Sequence, residues 1–518
     1  MPIPAPEVAG RSIGASARGG SEGSDECDKD TASVAFNLPY WLTAVLAATV
    51  VATIIAADPD DSLPSRAARL FIDDAEIEAM QGLQRVFHHP RRHAGNPLLT
   101  GTEPWEKWTV EVNGRSVLYD EESREFKMWY VSPLIGVAGA AYGELFRTAY
   151  AVSRDGVHWT KPELGQVEWD GSRRNNLIRW GENWMRRPNV VKDPHDPDPV
   201  RRYKMIYSDF IEGRTALVKA YSIDGIHWRL NGDGQPWFRR THNSDLLGWD
   251  PSIQQYVHYV RMPGSPTSIG RSTSQDFVTW TQPETVLAPD GEEAGVNFQG
   301  LAAFRYEGLY LGLIRVRTRI QGAWAGAYVE LTVSRDGIDW VRPSSGNPFF
   351  QGGEASAWDS AAIIMTAPVV HDGKIWFYYT GENHPYSKEA LIKVQRGWQE
   401  KGQRMQRAIG LAMLRLDGFA SLDAGPHGGW VTTRPLTVAS GALEVNADVS
   451  GMLRVEILGK DGEPLEGFEA ESCRPVQSDA LSHPISWDTG ADMGSLVGKD
   501  VQLRFWLRDG SLYSFRFR

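Results

Sequence analysis

The chain has 518 residues, 42% of them hydrophobic and 23% charged, a composition that fits a globular protein with more than one core and excludes a disordered polymer. Its formal net charge is -11 and it has no long basic stripe, so a phosphate-binding surface is excluded, and nucleic acid with it. Two cysteines, Cys27 and Cys473, supply neither a disulfide framework nor a thiolate zinc site.

Residues 1–35 are rich in Gly, Ser, Ala and acidic side chains, show no apolar periodicity, and read as a disordered tail. Residues 36–57 then run without a charge, about the length that a helix of ~20 apolar residues needs to cross a bilayer. This apolar helix is expected to be a signal-anchor or the core of a signal peptide, with Ala56 and Ala57 as small residues near a cleavage point. Both alternatives put the rest of the chain outside the cytoplasm: secreted, periplasmic, or tethered to the membrane through this segment alone. The cysteines fall on opposite sides of it.

Short strands follow, marked by period-two alternation at 116–120 and 125–131 and separated by Gly, Asp, Asn and Pro turns. One helical stretch is expected at 387–404. Four copies of one motif stand out: Ser-Arg-Asp-Gly-Val-His-Trp at 153–159, Ser-Ile-Asp-Gly-Ile-His-Trp at 222–228, Ser-Gln-Asp-Phe-Val-Thr-Trp at 274–280 and Ser-Arg-Asp-Gly-Ile-Asp-Trp at 334–340. A degraded fifth, Leu-Asp-Gly-Phe, lies at 416–419. The Asp side chain caps a tight turn, Gly takes its positive φ, and Trp returns to the packing layer. Aromatic strands precede each copy, at 126–131, 203–208, 256–261, 309–314 and 375–380. One four-stranded sheet takes roughly 40–50 residues, and repeats at that period mean propeller blades. The expected fold is therefore all-β, a five-bladed β-propeller over 70–425. Alternating strands from 428 to 518 make a β-sandwich behind it.

The Ser-x-Asp-Gly-x-x-Trp form is one residue shorter than the Asp-box of sialidases and resembles the blade ends of five-bladed glycoside hydrolases, families 32, 43, 117 and 130. The segment Asn96-Pro97-Leu98-Leu99, Pro104-Trp105-Glu106, Asn113 and Val117-Leu118-Tyr119 is similar to the opening of the family 130 mannoside phosphorylases. The resemblance spans about residues 70–425. It implies a glycosidase, and with the apolar leader the expected substrate is an extracellular oligo- or polysaccharide; no cofactor and no metal ligand set are expected from the residues. Narrower membership does not follow. Arg186-Arg187-Pro188-Asn189 stands where family 130 has Glu-Asp-Pro-Arg, and the Asn-Asp-Pro-Asn-Gly and Arg-Asp-Pro motifs of family 32 are missing.

Glycoside hydrolysis takes one carboxylic acid to protonate the leaving oxygen and one carboxylate to attack or to activate water. In a propeller funnel these come from the innermost strands. The first blade offers Glu106 and Glu111, the second Asp193, the third Asp245, the fifth Glu354 and Asp359; the fourth has only the amides Asn297 and Gln299. Asp193 lies in a Pro- and Asp-rich run and reads as a turn. The expected catalytic set is Glu106, Asp245 and Asp359. Trp105, Trp249 and Trp358, each beside an acid, together with Asn113, Arg187 and Arg261, are the expected sugar contacts, and arginines there favour an acidic or sulfated sugar. The competing reading is a non-catalytic carbohydrate-binding propeller, in which the funnel keeps its aromatics and lacks a close carboxylate pair. The run His88-His89-Pro90-Arg91-Arg92-His93 lacks metal-ligand spacing, and residues 120–124 read as a solvated hairpin tip.

Overall fold

The computed structural model describes residues 67–106, 109–133, 146–179, 184–231, 235–239, 241, 243–291, 295–320, 323–383 and 406–518. The expected tail, apolar helix and 387–404 helix all lie outside these residues, and among the described residues no helix is long and apolar enough to cross a membrane. What is described is almost wholly β-structure, interrupted by the 3-10 turns Pro199–Arg201 and Met493–Leu496.

Five antiparallel meanders follow one another along the chain. The first pairs Val117–Asp120, Glu125–Pro133 and Phe146–Ser153. The second runs Arg186–Lys192, Tyr203–Ile211, Arg214–Ser222 and Trp228–Leu230, and the third Ser244–Asp250, Gln255–Met262, Ser268–Ser274 and Glu284–Leu287. A nine-stranded sheet holds the other two. Val296–Tyr306, Leu309–Ile320, Ala323–Ser334 and Trp340–Val341 form the fourth, and Ala362–Met365, Val369–His371, Lys374–Glu382 and Arg407–Arg415 the fifth; one parallel bridge, Ala327 to Ala362, joins them. The outer strand of the fifth meander is Arg91–Arg92, from near the start of the chain. The histidine-arginine run is thus a closing strand: His88 meets Ser421 Oγ at 2.7 Å and Arg92 ion-pairs with Asp359.

The alternation seen in the sequence persists only at the outer ends of these strands. Tyr203–Ile211 is buried at seven successive positions, because sheets cover it on both faces. Two devices repeat between neighbouring meanders. In the first, an aromatic donor of one meander bonds the carbonyl of a motif glycine in the next: Trp129 Nε1 to Gly225 O at 2.6 Å, Tyr259 OH to Gly337 O at 2.8 Å, and Tyr378 OH back to Gly156 O at 2.8 Å. In the second, a tyrosine that opens a middle strand bonds an aspartate at the end of the preceding meander's first strand. Tyr203 reaches Asp120 at 2.6 Å, Tyr256 reaches Asp193 at 2.5 Å, and Tyr310 reaches Asp250. Cations complete each lock, Lys127 and Lys192 on Asp120, Lys204 on Asp193, and Arg305 on Asp250. Asp120 is therefore no solvated hairpin tip. It is 3% exposed, and the solvated part of that turn is residues 121–124.

The C-terminal strands Leu443–Leu458 and Asp500–Phe517 pair along most of their length and enclose a core of Phe71, Val431, Val455, Phe505, Leu512 and Phe515. Three N-terminal strands, Arg69–Leu70, Ile77–Gln81 and Gln84–Phe87, join this sheet, although the sequence assigned residues from 70 onward to the blades. Their apolar positions are too few to show which core they enter. Asp417, from the degraded motif copy, ties the sheet to the meanders. It is 1% exposed and accepts Tyr306 OH at 2.6 Å, Ser514 Oγ at 2.6 Å and Arg516 at 3.0 Å.

Candidate active site

The first strands of the five meanders meet at one point. A Cβ on Gly114 would lie 2.0 Å from Asn189 Oδ1 and 2.9 Å from Asp245 Oδ1; one on Gly300 would lie 3.1 Å from Asp245 Oδ2. Gly114 also forms a parallel bridge with Thr366, and its carbonyl accepts Ala367 N–H at 2.8 Å. Glycine at 114, with φ +58, is required by this approach of neighbouring strands, which leaves no room for a side chain. Bulges break the register of the first strands here, between Arg186 and Asn189 and between Phe298 and Leu301. Such bulges re-aim side chains next to functional sites.

Three carboxyl groups from three meanders gather at this point. Asp245 is 6% exposed and accepts Leu301 N–H at 2.9 Å. Burial pushes its pKa up to about 6, against the pull of Arg315, the Leu301 N–H and Arg187. Glu111 is 2% exposed; its Oε2 takes Arg407 Nη1 at 2.8 Å, and its Oε1 lies 3.6 Å from Arg187 Nε. Glu382, 0% exposed, meets the other terminal nitrogen of Arg407 at 2.8 Å. Glu111 and Glu382, on the two arms of one guanidinium, stand no more than roughly 8 Å apart. Arg187 holds φ +51, a left-handed conformation that costs an ordinary residue of order 1–3 kcal/mol, and it is 8% exposed. Its guanidinium donates to Asn243 Oδ1. Arg261 donates to Gln299 Oε1 at 3.0 Å and Arg315 to the Gln299 carbonyl at 3.0 Å. Among the described residues, Asn113 Nδ2 and Glu111 Oε1 are buried without a hydrogen bond, an open donor and an open acceptor two residues apart.

Of the residues expected from the sequence, Asp245, Asn113, Arg187 and Arg261 lie at this convergence. Glu106 and Asp359 take part in other contacts. Glu106 accepts Tyr130 OH at 2.5 Å, Lys161 Nζ at 2.6 Å and Glu103 N–H at 3.0 Å, while Asp359 accepts Arg92 Nε at 2.8 Å and Tyr379 OH at 3.0 Å. These are buried locks, and neither shares a partner with Asp245. Trp105 bonds Asn176 at 3.0 Å, Trp249 packs edge-on to Tyr256 at 4.9 Å, and Trp358 stacks on Tyr379 at 5.6 Å. All three are partly exposed and pack against a core with one side. Glu111 was in view as the second acid of the first blade. Glu382 was not in view because it ends Lys374–Glu382, which is not a first strand, yet it pairs in register with Ala362 at the head of the first strand.

No family model matches the chain, and no curated protein matches it. Solved structures do. One, described as showing that the GH130 family of mannoside phosphorylases contains glycoside hydrolases that target β-1,2 mannosidic linkages in Candida mannan, is 14% identical over 65% of this chain and 95% of its own, with a TM-score of 0.43. A glycosyl hydrolase from Bacteroides ovatus is 14% identical over 64% and 94%, with a TM-score of 0.44. A thermostable family-43 glycoside hydrolase is 13% identical over 65% and 96%, with a TM-score of 0.43. At that level of likeness the chemistry has to come from the converging side chains themselves.

Proposed function

We propose that the protein is a glycoside hydrolase, that its five meanders are the blades of one propeller, and that the convergence of their first strands is its active-site funnel. The blade count rests on the aromatic-to-glycine bonds, which run from the first meander to the second, from the third to the fourth and from the fifth back to the first. The observation that carries the chemistry is the contrast between Asp245, whose burial keeps a proton on it up to about pH 6, and the ion-paired Glu111 facing the same Arg187. Asp245 gives its proton to the glycosidic oxygen as the bond to the anomeric carbon breaks. Glu111 takes the proton of the attacking water, or attacks that carbon itself and is released by water in a second step. Glu382 positions Glu111 through Arg407. The substrate is an oligo- or polysaccharide, met outside the cytoplasm if the uncharged stretch at 36–57 exports the chain.

A second reading, a carbohydrate-binding propeller without catalysis, draws on one observation: Arg407 occupies an oxygen of both Glu111 and Glu382. A glycan panel read by released reducing sugar separates the two. The wild type is expected to release sugar from at least one glycan, and Asp245→Asn and Glu111→Gln to lose roughly 10²–10⁴-fold of that rate. Binding without release by the wild type would rule out the hydrolase.

A further inference from the structure

The outer face of the C-terminal sheet carries a second constellation, remote in sequence from the funnel. Strands Gly429–Thr433, Asp500–Phe517 and Leu443–Leu458 lie side by side, and their register puts Trp430 beside Trp506 and Trp506 beside Arg454. The next row on the same face is Thr432, Arg504 and Glu456, and on the other side Arg508 lies opposite Met452. The alternate row, Val431, Phe505 and Val455, is the core, so the tryptophans and arginines belong to the outward face. Both indoles remain partly exposed, with centroids 6.3 Å apart and planes tilted by 54°. Arg504 lies 5.2 Å over the Trp430 ring, fixed by Thr432 Oγ1 at 2.9 Å and Glu456 at 3.0 Å.

Nothing in the fold needs two large aromatic rings on the wet face of a sheet whose core is already filled by Phe505, Val455 and Val431. We propose that this face binds an acidic polysaccharide chain. The two adjoining, partly exposed indoles form one apolar floor against which the C–H face of a pyranose ring stacks. The charge selects the class. Arg454, Arg504 and Arg508 meet a single acid, Glu456, across these rows, a local excess of cations on a chain whose net charge is -11. Carboxylates or sulfates on neighbouring sugar units are the groups that guanidinium forks recognise. A neutral glycan would leave that excess unused. The surface works without the funnel: it holds the polymer while the funnel, on the function proposed above, cleaves it.

Affinity electrophoresis of the full chain tests this, with polygalacturonate, alginate and heparin in the gel, and dextran and xylan as neutral polymers. Retardation is expected with at least one acidic polymer and with neither neutral one, fading as NaCl rises from about 50 to about 500 mM because exposed charges are screened. Trp506→Ala and the exposed-site variant Arg508→Gln are each expected to weaken retardation at least about tenfold, while Asp245→Asn, in the funnel, keeps it. Arg508→Gln removes only an exposed charge, so it remains informative should Trp506→Ala fold poorly. Retardation by no acidic polymer, equal retardation by dextran, indifference to Arg508→Gln, or loss in Asp245→Asn overturns the proposal. None of these outcomes touches the hydrolase assignment, which the sugar-release assay decides separately.

Discussion

Asp245 has exchanged water for one N–H bond and two guanidinium neighbours, and desolvation outweighs them, leaving its pKa near 6. A proton donor of that pKa sets the direction of a pH profile. In the proposed donor role the protonated form is the active one, so kcat/KM should fall about tenfold per pH unit above about pH 6, and Asp245→Asn should abolish that limb along with roughly 10²–10⁴-fold of the rate. A wild-type profile still level at pH 8 would remove Asp245 from the role of donor. At this scale the sequence was partly legible. An acid just before or within a first strand is what the sequence offers, and that criterion included Asp245 and Glu111, which the structure brings to the convergence of the first strands. It did not show that Lys161, 55 residues on, pairs with Glu106, or that Arg92, 267 residues back, pairs with Asp359. Folding decides which cation each carboxylate meets, and sequence spacing carries no trace of that.

The four-fold motif is the element that the sequence specifies most fully. Its Asp accepts the N–H groups two and three residues on, as Asp224 does from Ile226 and His227 at 2.9 and 2.8 Å, and its Trp donates back to the glycine carbonyl, 3.0 Å for Trp228. The turn chemistry predicted glycine for its positive φ alone. The structure adds a second reason: a Cβ on Gly225, at φ +78, would sit 2.8 Å from Trp129 Cζ2 of the neighbouring meander. Gly225→Ala should therefore cost more than the ~1–2 kcal/mol of a left-handed residue, since the Trp129 ring is fully buried and has nowhere to move. The third copy is the control. Phe277 adopts φ +62 there, its carbonyl taken by Asn231 at 3.1 Å, and its ring packs on Tyr256 and Trp280. Phe277→Gly relieves the strain but deletes a ring worth roughly 3–5 kcal/mol, so it too should lower the denaturant midpoint, for the opposite reason. A neutral Gly225→Ala would show that the interface yields. The Asp120, Asp193 and Asp250 locks form an equally regular repeat that went unread, because each couples a strand end to a tyrosine 60 to 83 residues away.

Across the whole molecule, buried polar groups link neighbouring sheets. Asp417 is the plainest case. Alanine there strands Arg516 and the Tyr306 hydroxyl between the meanders and the C-terminal sheet, and the expected loss, about 3–5 kcal/mol, is that of breaking one side of a buried ion pair. A denaturant midpoint equal to wild type would show that the sheets dock without it. Two further buried groups act on stability through pH, and they act in opposition. His258 is 0% exposed, neither ring nitrogen has a hydrogen-bond partner among the described residues, and burial pushes its pKa from 6.5 down to about 3. Unfolded, it takes up a proton below pH 6.5 that the folded protein refuses until about pH 3, so its contribution to stability is lost as pH falls through that window. Asp245 runs the other way. Folded, it keeps a proton up to about pH 6 that the unfolded chain releases above 3.8, so stability is lost as pH rises between those values. Each slope approaches 1.4 kcal/mol per pH unit, and between about pH 4 and 6 they nearly cancel. Single variants should uncover them. Measured against wild type so that all other groups drop out, Asp245→Asn should gain relative stability as pH is raised from 4 to 6, and His258→Phe should lose it, each by roughly 2–3 kcal/mol. Urea midpoints at half-unit steps of pH would show this directly. Profiles parallel to wild type for both variants would mean that water or a rearranged neighbour reaches these side chains in the folded state, and the proton-donor role of Asp245, which depends on the same dryness, would go with them.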